Sequence, residues 1–438
     1  MRMYDLIAKK RDGGELSPEE LSYLVHGVTD GSIPDYQLSA WLMAVVLRGM
    51  TDAETAALTM EMACSGDRAD LSALSGVKVD KHSSGGVGDK TTLIALPMAA
   101  AKGAVIAKMS GRALGATGGT IDKLESIPGY RTALSAEEFL SVVRRTGISV
   151  TGQSGDLAPA DKKLYALRDA TATVESIPLI AASIMSKKLA AGADGIVLDV
   201  KAGSGAFMKT VEDAKALARA MVSIGERNGR RVIALLTDMS RPLGHNIGTA
   251  LEIREAVETL RGHGPADLTA LCTELAAQLL VLSGKGSLST CRALAEESIA
   301  DGSAFAKLCE LVEAHGGDAA FLHDPSKFPV AGVSAEIRSP QEGFLTAMDG
   351  EGIGFAALAL GAGRERPGDP VDNAAGIVLR RKTGDRVLPN EPLATLYATD
   401  ESHLAEGTRR FLAALRFGGK APVATPLIHA VIDGREYP

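Results

Sequence analysis

The chain has 438 residues, 45% of them hydrophobic and 23% charged, which is enough apolar material for two or three packed domains. Its net charge of −7 argues against the basic face of a nucleic-acid binder, so a small anion would have to meet a local cluster of lysine and arginine. Aromatic residues are only 4%, while glycine and alanine abound, which favours tightly packed α/β layers.

Residues 1–70 read as all-helical. MYDLIAKKRDG, SPEELSYLVHGVTDG, PDYQLSAWLMAVVLRG and TDAETAALTMEMACSG carry helical apolar spacing and end at or near glycine. From about 76 the texture changes to short β-rich runs, GVKVDK, GAVIAKMS, GISVTG, GIVLDVK and RRVIALLTD, separated by helical segments. That alternation predicts a largely parallel sheet, with ligands at the carboxyl ends of its strands. Residues 155–192 read as helices again, returning to the N-terminal bundle. Helices follow from 255 to about 318, and HDPSKFP reads as a linker. The expected organisation is α/β: a small all-α domain (1–70 with 155–192), a large α/β phosphate-binding domain (74–154 and 193–332), and a C-terminal α+β domain (335–438).

Cys64, Cys272, Cys291 and Cys309 are scattered, without a C-x-x-C pair or histidine at ligand spacing, and are expected to be buried free thiols. Pro97 and Lys102 interrupt the longest apolar run, and the first residues carry charge rather than an apolar leader. The expectation is a cytoplasmic enzyme with no membrane partner and no nucleic-acid partner.

Two glycine-rich segments follow predicted strands and precede predicted helices. The first is Lys81-His82-Ser83-Ser84-Gly85-Gly86-Val87-Gly88-Asp89-Lys90-Thr91-Thr92. Its glycines let backbone N–H groups face an anion, the helix start adds positive potential, and Lys81, Ser83 and Thr92 add donors. It is not a P-loop: Asp89 separates Gly88 from Lys90, where G-x-x-x-x-G-K-[ST] requires adjacency. The second runs from Lys108-Met109-Ser110-Gly111-Arg112 through Gly115 to Thr120. On neighbouring parallel strands, the two would face one phosphate from two sides. Ser183 and Lys187 are four apart and share a helix face, with Arg168 near the end of the preceding helix. On spacing alone these three read as ordinary surface residues.

Together the runs VDKHSSGGVGDKTTL, KMSGRALGATGGTIDKLESIPG, GQSGDLAPADKKLYALRDATATVESIPLIAASIMSKKLAAGADGIVLDVKAGSGAFM and LTDMSRPLG resemble the thymidine and pyrimidine-nucleoside phosphorylase family, over nearly the whole chain. The resemblance implies a homodimer with its active site between the small and large domains. It implies a phosphate site of Lys81, Ser83, Thr92, Ser110 and Thr120, with Lys108 beside it. It implies a pyrimidine site of Tyr165, Arg168, Ser183 and Lys187, with His82, Arg168 and Lys187 as the catalytic groups. The implied reaction is phosphorolysis of uridine, deoxyuridine and thymidine to base and α-(deoxy)ribose-1-phosphate, without an obligatory cofactor. Lys108 matches the broader pyrimidine-nucleoside enzymes, where strict thymidine phosphorylases carry an apolar residue. The alternatives are a thymidine- or uridine-restricted enzyme, or a non-catalytic nucleoside-binding relative.

The chain departs from the family pattern at Ala113 and Ala116, where glycine and histidine are usual, the histidine bonding toward the segment holding Gly205. It departs again at Lys90, where threonine is usual. The family's potassium site would fall on Gly88, Lys90, Leu243, Asn246 and Glu255. Two arrangements are open: the ion is retained with the Lys90 side chain in solvent, the arrangement expected, or the ammonium takes its place and pairs with Glu255.

Overall fold

The structure is a computed structural model that describes residues 1–111, 118–153, 156–364, 366 and 369–434. Four helices open the chain: α1 (Met3–Arg11), α2 (Pro18–Asp30), α3 (Asp35–Arg48) and α4 (Asp52–Cys64). Their ends follow from local chemistry. Ser17 with Glu20 and Thr51 with Glu54 form reciprocal capping boxes, and Gly31 closes α2 in the left-handed region at φ 78°. The apolar faces meet around fully buried Trp41.

The large domain then lays down β1 (Lys78–Ser83), α5 (Thr91–Ala101), β2 (Val105–Ser110), α6 (Thr120–Glu125), α7 (Ala136–Thr146) and β3 (Ile148–Gly152). Helices α8 (Pro159–Ala170) and α9 (Ile177–Ala190) return to the bundle. Ala160 and Leu164 of α8, and Leu179 and Ala182 of α9, join its core. The other face of α9, through Ala181, Met185 and Leu189, packs on the sheet, so this helix joins the two domains.

Next come β4 (Gly195–Ala202), α10 (Val211–Arg227), β5 (Arg231–Asp238), β6 (Asn246–Ile247) and helices α11 (Thr249–Leu260), α12 (Ala266–Leu282), α13 (Leu288–Ala300), α14 (Ser303–Ala314) and α15 (Ala320–His323). Strands β1 to β5 are parallel, in the order β5-β4-β1-β2-β3. Side chains alternate between two helical layers: Val197 faces the core of α5, α11 and α12, whereas Ile196 and Leu198 face α9 and α10. All five β-rich runs anticipated in the sequence are strands. Their carboxyl ends bring Ser83, Ser110 and Gly152 to one edge.

The C-terminal region holds β7 (Val333–Arg338), β8 (Gly343–Met348), α16 (Gly350–Ala357), β9 (Gly376–Leu379), β10 (Arg386–Val387), β11 (Pro392–Ala398), α17 (Glu401–Ala413), β12 (Leu415–Gly418) and β13 (Ile428–Asp433). Three features correct the expected boundary at 332–335. Strand β13 leaves this region to pair antiparallel with β5 in the main sheet. Strand β6 of the large domain pairs with β9. HDPSKFP is no free linker: Phe328 is 1% exposed in the large core, with the Arg254 guanidinium 5.7 Å from its ring centre. The cysteine expectation is also corrected at one position, since Cys64 is exposed while the other three are buried. Among the described residues no helix is long and apolar enough to cross a membrane.

Candidate active site

A cleft of ≈ 1140 Å³ opens where the strand ends meet α8 and α9. Its sheet wall carries His82, Ser83 and Thr92 from β1 and the start of α5, Lys108 and Ser110 from β2, and Thr120 at the start of α6. Its helical wall carries Tyr165, Arg168, Ser183 and Lys187. Phe207 and Phe355 line a third side. The predicted phosphate and pyrimidine residues therefore converge on one cavity, with one exception.

The exception is Lys81. Its side chain is fully buried and does not line the cleft; its Nζ lies 2.5 Å from Thr91 Oγ1 and 3.5 Å from Asp199 Oδ2. It lies behind the cleft lining, in a buried charged cluster with Asp199 and Lys201. Asp89, which the sequence marked only as a break in a P-loop match, organises that loop. It accepts from Ser83 Oγ and, at 2.7 Å, from Thr91 Oγ1. Burial opposes its charge, but Lys81, Lys201 and Lys123 outweigh burial and hold the carboxyl well below the usual range. Val87 of the same loop is buried in the C-terminal core, so three parts of the chain fix the cradle.

A second carboxylate missed by sequence reasoning is Asp80, 1% exposed. Its Oδ1 lies 3.3 Å from Lys108 Nζ, and its Oδ2 accepts from Lys188 Nζ at 2.7 Å. Lys188 also donates to Met109 O at 3.1 Å, tying α9 to β2. Lys108 donates to the Lys81 carbonyl, so its ammonium is turned toward the wall. Burial, opposed by Asp80 and reinforced by the charges of Lys188 and Lys81, pulls it down to about 7. The half-buried His82 is held well below its usual value, by burial first and then by Lys188 and Lys108. It is a neutral imidazole near pH 7, a hydrogen-bond donor rather than a cationic acid.

On the helical wall the adjacent lysines diverge, as neighbours on a helix must. Lys187 Nζ pairs with Asp161 Oδ2 of α8 at 2.6 Å and lies 3.4 Å from Ser183 Oγ. Arg168 donates to the carbonyls of Thr173, Leu179 and Val174 at 3.3, 3.0 and 2.7 Å and lies 5.7 Å from the Tyr165 ring centre. Of the guanidinium's five N–H donors, three are spent in holding the α8–α9 connection. Asp161 carried no signal in the sequence, because its partner lies on another helix.

Lys90 corrects the arrangement expected for it. Its side chain is fully buried, not in solvent, and its Nζ reaches Leu243 O at 3.1 Å, Asn246 O at 2.7 Å and Glu255 Oε2 at 2.5 Å. Residues 112–117, which include Ala113 and Ala116, lie outside the described residues. Gly205, their anticipated counterpart, lines the cleft, and the adjoining Ser204 Oγ accepts from Gly350 N at 2.9 Å.

Fold and cleft together are those of a glycosyl transferase. Models of that family's α/β domain and helical bundle domain match residues 75–305 and 4–66, and a model of the pyrimidine nucleoside phosphorylase C-terminal domain matches 344–417. The chain is 54% identical over 402 residues to the pyrimidine-nucleoside phosphorylase of Geobacillus stearothermophilus, covering 92% of this chain and 93% of that one. It is 52% identical over 433 residues to that of Bacillus subtilis (strain 168), covering 99% and 100%. The chain belongs to the pyrimidine-nucleoside phosphorylases of the glycosyl transferase family. Anthranilate phosphoribosyltransferase (TrpD) from Thermus thermophilus is similar in fold alone, with a TM-score of 0.58 at 21% identity, covering 70% of this chain and 98% of that one.

Proposed function

We propose that the protein cleaves uridine, deoxyuridine and thymidine with inorganic phosphate, releasing the free base and α-(deoxy)ribose-1-phosphate. The observation that carries this reading is the opposition of the two walls. Glycine, hydroxyl and lysine groups of the sheet wall face the cation and serine of α8 and α9 across one cavity. Phosphate held by Ser83, Thr92, Ser110 and Thr120, with the buried charge of Lys81 behind the cleft lining, attacks C1′ from the face opposite the base, inverting that centre. The sugar becomes oxocarbenium-like and the leaving pyrimidine gathers negative charge. Lys187, and the two Arg168 donors not given to carbonyls, stabilise that charge as it develops, which lowers the barrier rather than merely tightening binding. Neutral His82 donates a hydrogen bond to a base carbonyl. No phosphoryl group is transferred, so the chemistry calls for no divalent metal.

Lys108 supports the broad substrate range: released from the Lys81 carbonyl, its ammonium would meet a ribose 2′-hydroxyl. The reading includes a homodimer acting in the cytoplasm, which sedimentation and cell fractionation test. The decisive experiment follows base release from uridine and thymidine with and without phosphate. Phosphate-dependent release from both is expected. Release without phosphate would overturn phosphorolysis, and release from one nucleoside alone would overturn the broad range.

A further inference from the structure

We infer that the Lys90 ammonium is a tethered cation filling the site where the family resemblance puts a potassium ion, so that this chain anchors its phosphate-binding loop without a monovalent ion. An ammonium has three N–H donors and no acceptor. Here the three acceptors within reach, Leu243 O, Asn246 O and Glu255 Oε2, lie 2.5 to 3.1 Å from the nitrogen. Glu255 has little capacity left, since Oε1 accepts from His245 N at 2.8 Å and Oε2 also from Asn246 N at 3.1 Å.

The space is closed as well as the chemistry. Gly88 and Gly244 adopt φ +70° and +67°, and a methyl group on either would come within 3.4 and 3.2 Å of the ammonium and within 2.5 Å of Leu243 O or Glu255 Oε2. A potassium ion would have to share these oxygens with a positive charge at contact distance, so the residues present do not fit the ion.

The tether lies at a junction. Lys90 follows Asp89, which orders the phosphate loop, and immediately precedes α5. Leu243 lies in the connection from β5 to β6, Asn246 in β6 itself, which pairs with β9 of the C-terminal region, and Glu255 on α11. One ammonium therefore joins loop, connection and helix. An ion-held junction strengthens with ion concentration by mass action; a tethered charge does not.

Thermal unfolding tests this without using turnover, so its outcome is separate from that of the proposed reaction. Wild-type protein is melted in potassium chloride and in tetramethylammonium chloride at equal ionic strength. The same midpoint is expected in both, with no thallium(I) anomalous peak among Leu243, Asn246 and Glu255 in soaked crystals. A midpoint raised specifically by potassium, or a thallium peak there, would overturn the inference. Lys90→Ser should melt several degrees lower in tetramethylammonium and recover in potassium; a variant indifferent to the salt would overturn the reading of the ammonium as an ion's substitute. The wild-type arms need no variant and decide the matter even if Lys90→Ser does not fold.

Discussion

The two walls of the cleft hold their cations in different ways. At the sheet wall, Lys108 and, behind the cleft lining, Lys81 and Lys201 are almost wholly buried and lie beside Asp80 or Asp199. On the helical wall, Arg168 and Lys188 are just as buried, held by carbonyls and by Asp80, whereas Lys187 keeps 29% of its side chain exposed beside one carboxylate partner. Removing a partner from such a buried, paired set is costly, so its pairing is part of the fold. A half-exposed lysine can follow charge as it appears on a leaving group. Changes to the buried pairs should therefore register first in stability, and a change at Lys187 first in rate.

The largest expected effect is on the sheet wall. Asp80→Asn leaves Lys108 and Lys188 buried without their shared carboxylate, and should cost about 3–5 kcal/mol in chemical denaturation. An unchanged unfolding midpoint would show that the network does not hold the wall. Next, Lys187→Ala should lower kcat by about 10²–10³-fold. It also leaves Asp161, 2% exposed, without its ion partner, so the unfolding midpoint should fall as well, though less than for Asp80→Asn, which strands two buried lysines. A variant with normal turnover and reduced stability would reverse the contrast between Lys187 and the buried pairs.

Protonation gives a smaller effect. His82, His245 and His315 all lie below the ordinary value of 6.5, burial being the first cause in each. The unfolded chain therefore binds protons that the folded chain refuses as pH falls below 6.5. The histidine share of stability should be full above that value and be lost between about pH 6.5 and 5, before ordinary carboxylates titrate; Lys108, pulled down to about 7, adds a separate rise in stability above pH 7. A midpoint constant across this window would mean that the imidazoles are protonated in the fold. The smallest effect is on specificity. Lys108→Met should reduce kcat/KM for uridine more than for thymidine, by about fivefold, the worth of one modest hydrogen bond. Equal losses would remove Lys108 from the choice of substrate.

The sheet wall was largely legible in the sequence because it is local. Strand, glycine turn, hydroxyl and helix start follow one another between 78 and 92, so one segment carries both the backbone shape and the donors, and a strand and a helix start likewise bracket the second glycine-rich segment. The helical wall was not legible from spacing, and Arg168 and Lys187 stood out only through the family resemblance. What distinguishes them from surface charges is what they touch: carbonyls of the α8–α9 connection and Asp161 on a different helix.

The sequence alone determined the helical bundle, the five parallel strands and the first glycine-rich turn, because capping residues, apolar period and glycine act over a few neighbouring positions. Only the tertiary structure decided that Lys81 lies behind the cleft lining, that Asp80 joins Lys108 to Lys188, that β13 closes the main sheet and that Lys90 fills a site among Leu243, Asn246 and Glu255. The charge placements depend on which buried charge finds which partner across separations of up to 165 residues, and β13 on a strand pairing more distant still. Burial penalises any charge left without a partner, so the choice is made by the packed whole and not by local propensity.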